Sequence, residues 1–147
     1  MNQAVREISA ELPRVDFFHW VLADVSATAT ELPEAAFSRG FTAHGKPGPG
    51  VTVPGFAGAR QGRNDFTGWF AADPAMAGDY FGYDGPFPPW NDSLIHHYVF
   101  TLYALDVARA PAEGVFAGAE LRRAIHPHVL AEATHSGTYT LNRRLLG

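Results

Sequence analysis

The stretch Gly82–Asp106, GYDGPFPPWNDSLIHHYVFTLYALD, sets a Gly/Pro loop directly against a β-branched and aromatic run that opens on two histidines. Proline fixes φ and lacks an N–H, so Pro86, Pro88 and Pro89 stiffen the loop. Glycine lets a backbone approach a ligand closely, because no Cβ stands in the way. The run from His96 to Leu105 alternates as a strand does. Side chains two apart on a strand share a face, so this spacing puts His96 and Tyr98 together and His97 on the other side. A stiff loop, an imidazole and a phenol arriving together make a small polar pocket suited to an anion.

Outward from that stretch, the chain of 147 residues fits a single domain, 1–147, with residues 1–15 polar and irregular. Apolar residues make up 46%, which is a globular composition. A net charge of −4 with no basic stripe argues against a nucleic-acid surface. No apolar run reaches the roughly 20 residues that cross a bilayer, and the first residues lack the apolar core of a secretory signal. The absence of cysteine removes disulfides, thiolate metal sites and cysteine nucleophiles, and is compatible with a cytoplasmic location.

Phe17–Val25 (FFHWVLADV) reads as a buried strand, and residues 26–36 as a turn or short capped helical piece. Residues 45–89 hold most of the glycines and prolines, so neither a regular helix nor a regular sheet runs through them. Their aromatics argue for packing rather than disorder. Gly118–Ala133 has helical composition broken at His126-Pro127, which predicts two helical pieces with Leu121, Ile125 and Leu130 on their buried faces. Thr138–Asn142 reads as a last strand after a break at Ser136-Gly137. The sum is a mainly β fold with short flanking helices, two of them near the C-terminus.

The ordered set FFHWVLADVSATATELPE, GRNDF, GYDGPFPPWND, IHHYVFTLYALD and ELRRAIHPHVLAEATHSGTYTLN resembles the phosphatidylethanolamine-binding protein family, in its bacterial and archaeal Raf-kinase-inhibitor-like (YbhB/YbcL) branch. The resemblance runs from about Asp16 to the end. It implies antiparallel sheets with peripheral helices and a pocket for phosphate-like or phospholipid-headgroup anions. Some eukaryotic members inhibit kinases or proteases, which implies a possible protein partner. Carried over by motif, the pocket falls on His19, Gly85, Pro86, Pro88, His96 and Tyr98, with Tyr139 the candidate for a tyrosine lining the same opening. Phe87 stands where bacterial members commonly have cysteine, making the rim bulkier. Family members also carry an earlier segment with an acidic D-P-D-x-P motif. No D-P dipeptide precedes His19 here, so the chain is expected to be short at its N-terminus and to cover open sheet edges by forming a homo-oligomer.

Other chemistries find less support. Taken alone, His19 in an aromatic strand is a packed core histidine; the resemblance turns it toward the pocket. His19, His96 and an acid could converge as metal ligands, but His96-His97 offers no such pair by itself. His126-Pro-His128 reads as solvated helix ends, and Asn64-Asp65 as a turn stabiliser. There is no phosphate loop and no G-x-S-x-G elbow. The expected protein is therefore a non-enzymatic anion binder with no cofactor and no metal. A protein-interaction module working through the pocket rim is the alternative, and a hydrolase a third.

Overall fold

The computed structural model describes residues 6–40, 42 and 45–146. In chain order they form β1 (Val21–Ala23), β2 (Arg60–Gly62), α1 (Phe66–Trp69), β3 (His96–Leu105), α2 (Gly118–Ile125) and β4 (Val129–Tyr139), with 3-10 turns at His126–His128 and Arg143–Leu145. Strands with few short helices dominate, as the sequence predicts. Among the described residues β1 pairs antiparallel with β2, and β3 pairs with β4. Two compact units result: one from within Met1–Asp16, Pro86–Tyr103 and Glu132–Gly147, the other from Phe17–Gly85 and Ala104–Ala131. They are called here the first and second unit.

The second unit holds the apolar core: Val21, Phe56, Tyr80, Phe81, Phe116, Leu121 and Ile125 are buried there. Its organiser is an ion pair. Arg60 Nε donates to Asp24 Oδ2 at 2.5 Å, while its other nitrogens donate to the carbonyls of Ala112 and Ala110 at 2.6 and 3.1 Å. Asp24 Oδ1 accepts the N–H of Ala110 at 2.8 Å. The guanidinium lies over the Phe116 ring, 5.1 Å from its centroid, a cation–π placement that adds to the hydrogen bonds. Helix α2 presses close to the chain before β1. A Cβ at Gly118 would meet the Phe18 ring at 2.3 Å, so glycine is required there by close approach. Glu120 Oε2 accepts the N–H of Ala117 at the helix start.

Four expectations are corrected. The strand predicted over Phe17–Val25 is only Val21–Ala23, because the preceding main chain bonds to a turn and not to a ladder. Phe18 donates its N–H to Asp65 Oδ2 at 2.8 Å, and its carbonyl accepts the N–H of Asp65 at 2.9 Å. At the other end Asp24 adopts φ +60°, outside the extended region. The second helical piece is where Pro127 predicts it but is shorter than expected, a single 3-10 turn, and the chain becomes β4 at Val129. Pairing with β3 overrides the helical composition of residues 130–133, since strand preference depends on context more than on propensity. Leu130 is consequently exposed, at 70%, whereas Leu121 and Ile125 are buried. Finally β4 runs straight through Ser136-Gly137, and the strand placed over Thr138–Asn142 ends at Tyr139.

The first unit is built differently. Its buried residues among those described are Pro88, Asp92, Thr140 and Asn142, so its centre is polar. Val99, Leu102 and Phe100 of β3 lie exposed.

Candidate functional site

Within the first unit, residues 6–14 are fixed beside the turn that leads into β3. Ile8 donates its N–H to the Asn91 carbonyl at 2.9 Å, and its own carbonyl accepts from Ser93 N and from Ser93 Oγ. This bridge carries the Arg14 guanidinium to Asp92, 78 positions away in sequence. Arg14 donates in fork fashion to both carboxylate oxygens, at 2.6 and 2.8 Å. Leu94 N–H donates to Oδ1 at 3.0 Å, and His96 Nε2 lies 2.9 Å from Oδ2. Each carboxylate oxygen thus has two partners, which fills its ordinary capacity. The Asp92 main-chain carbonyl accepts from Asn142 Nδ2 at 2.8 Å. With 1% of its surface exposed, Asp92 is held on every side.

This environment decides its charge. Burial pushes the carboxyl up, but hydrogen bonds from Arg14, His96 and Leu94 and the Arg14 charge outweigh it and hold the group down at about 2. Asp92 is therefore an anion at neutral pH. An ionised carboxylate only accepts, so the nitrogen of His96 facing it carries the hydrogen.

The predicted site residues divide between the units. His19 and Gly85 belong to the second; Pro86, Pro88, His96, Tyr98 and Tyr139 belong to the first. Within the first, β3 alternates as expected: His96 and Tyr98 are half-buried, and His97 between them is exposed. The Tyr98 hydroxyl is itself buried. Pro88 is buried and Pro86 exposed. Tyr139 opens onto a cleft of about 360 Å³ shared with Ile95, Thr138, Thr140 and Arg143.

Within the second unit, His19 sits on the irregular segment before β1, with ring centroids 4.8 Å from Phe17 and 5.4 Å from Phe66 and with Nδ1 buried. Asp65, expected to steady a nearby turn, instead ties the main chain beside His19 through Phe18. Gly85 takes φ +92° while a Cβ there would meet nothing within 4 Å. Its left-handed backbone, rather than crowding, calls for glycine. Among the described residues no group of three His, Asp or Glu side chains could hold a metal ion, and no helix is long and apolar enough to cross a membrane. Asp92 and Asn142 end two of the motif stretches without being singled out there as site residues, and Arg14 lies ahead of all of them. The only local signal was a carboxylate four residues before His96.

A mainly β protein with a carboxylate-braced histidine at the head of a strand is the class that fold and site define together. Residues 7–140 match the family model described as phosphatidylethanolamine-binding protein, and the chain belongs to that family. It is 30% identical over 125 residues to the UPF0098 protein YbcL of Escherichia coli, covering 85% of this chain and 55% of that one. It is 29% identical to the UPF0098 protein YbhB of the same organism, covering 84% and 62%. The crystal structure of Escherichia coli YbcL, titled a new member of the mammalian PEBP family, superposes with a TM-score of 0.58 at 28% identity, over 84% of this chain and 61% of that one. The chain thus spans between about half and about three-fifths of the length of these relatives.

Proposed function

We propose that this chain is a non-enzymatic, cytoplasmic binder of a small anion of phosphate or phospholipid-headgroup type, with no cofactor. Family membership supports the class of ligand, and the carboxylate brace behind His96 carries the assignment of the residue. An imidazole backed by Asp92 is oriented before a ligand arrives, so less ordering accompanies binding. A protonated ring gives a charge-assisted hydrogen bond, shorter and stronger than a neutral one. Pro86 and Pro88 stiffen the loop ahead of it, and Tyr98, its hydroxyl turned inward, shapes the wall.

Isothermal titration with inorganic phosphate and with phosphoethanolamine tests this between about pH 5.5 and about pH 8, the range in which imidazoles change charge. Affinity is expected to fall as pH rises, and His96→Ala to weaken it by about tenfold or more, the equivalent of one charge-assisted bond. Absence of binding across the whole range contradicts the proposal. His19→Gln is the companion variant for the second unit.

A second reading, a regulatory module for a protein partner, draws on the exposure of Phe87 and Trp90, 69% and 59%, on the loop before β3. Large aromatics are common anchors at interfaces. Phe87→Ala with Trp90→Ala should remove a partner and leave phosphate affinity within about twofold. The exposed apolar residues of β3 support the further expectation of a homo-oligomer, which sedimentation would register.

A further inference from the structure

We propose that Asp92 is a positioning residue that locks His96 as the Nε2–H tautomer and leaves Nδ1 as the nitrogen for the ligand. The carboxylate takes Nε2, at 2.9 Å, and Arg14 fixes that carboxylate in turn through two bonds. The ring is 30% exposed while Asp92 is at 1%, so Nε2 faces inward. This deepens the anion-binding reading and rests on it for its functional meaning.

The consequence is a rule of hydrogen-bond polarity. In the neutral ring Nδ1 has a lone pair and no hydrogen, so it accepts. It then suits only a ligand group that brings its own hydrogen, such as the P–OH of hydrogen phosphate. In the imidazolium both nitrogens donate, and Nδ1 takes any anionic oxygen. Asp92 bonds directly to the ring, and Arg14 stands behind Asp92; both keep their charge through the imidazole range. On the protein side the choice of ligand therefore changes with the charge of His96, while phosphate, which itself loses a proton in this range, keeps a P–OH throughout. A sulfate ion carries no hydrogen near neutrality and hydrogen phosphate does, so the two distinguish the states.

Two measurements test the proposal. The first is the long-range ¹H–¹⁵N spectrum of the histidine side chains in the unliganded protein above the imidazole titration. His96 is expected as the Nε2–H tautomer in the native chain and as a tautomer mixture in Asp92→Asn. A predominantly Nδ1–H ring in the native chain overturns the proposal and requires no variant to fold. The second is titration with sulfate and with phosphate at about pH 5.5 and about pH 8. Sulfate should lose about tenfold more affinity than phosphate between these values, one hydrogen bond's difference. Parallel losses overturn the proposal. If neither anion binds, the anion reading falls, and the tautomer spectrum still decides the role of Asp92.

Discussion

Asp92→Ala should lower folding stability by about 3 kcal/mol, the lower end of the cost of breaking a buried ion pair. The lower end is chosen because Arg14 is 38% exposed and regains water when its partner is lost. What remains unmet is the N–H of Leu94 and the inward nitrogen of His96. The same group makes stability depend on pH in a stated direction. Its carboxyl lies at about 2 in the folded chain against an ordinary 3.8. A depressed folded value means the contribution is complete above the unfolded value and is lost as pH falls from about 4 to about 2. Its size is roughly 2 kcal/mol for a shift of this order. Urea unfolding at about pH 6 and about pH 3 should therefore show the native chain losing stability that Asp92→Ala no longer has to lose. A variant within about 1 kcal/mol of the native chain at the higher pH would mean that the brace is not structural.

Arg60→Ala in the second unit should be as damaging, at about 3–5 kcal/mol, because it strands a carboxylate and two carbonyls that the guanidinium now serves. Both members of this pair are nearly buried, with side-chain exposures of 12% and 9%. Water cannot replace the missing partner as it can at Arg14. The Phe116 ring also loses the cation above it. Asp24→Asn is the informative control. Asparagine tolerates the left-handed φ of +60° and keeps an acceptor for the Ala110 N–H, but its NH2 then faces the Arg60 Nε–H. The charge and that one hydrogen bond are removed, while the bonds of Arg60 to the Ala112 and Ala110 carbonyls remain. Its loss should be clearly smaller than that of Arg60→Ala. Equal losses in denaturant unfolding would show that the Asp24 contact, rather than the bonds of Arg60 to the two carbonyls, holds these segments together.

Legibility in the sequence followed the range of the forces involved. His96–Leu105 was found with its correct limits, and the alternation of His96, His97 and Tyr98 with it, because a two-residue period is a local property. Helix α2 was likewise visible from composition and from Pro127 beyond it. Val129–Tyr139 was misread because pairing, a property of the partner strand, decided against a helical composition. His19 was placed on a strand that its main chain does not form, since the competing bonds join its neighbour Phe18 to Asp65, 47 residues on from Phe18. The brace behind His96 was hidden for the same reason. Arg14 meets Asp92 only through a bridge at Ile8, and nothing near Arg14 signals a buried acid. The family motifs marked the histidine and contained Asp92, but nothing in them gave that acid the role of orienting it.

Titration of ¹⁵N-labelled protein with inorganic phosphate, followed residue by residue, tests most directly the proposal that His96 binds an anion. Saturable shifts at His96, with Asp92 and Leu94 behind it moving in step and His96→Ala abolishing them, are the expected outcome. Saturable shifts confined to the Arg143 cleft, or none at His96 at any phosphate concentration, would contradict it.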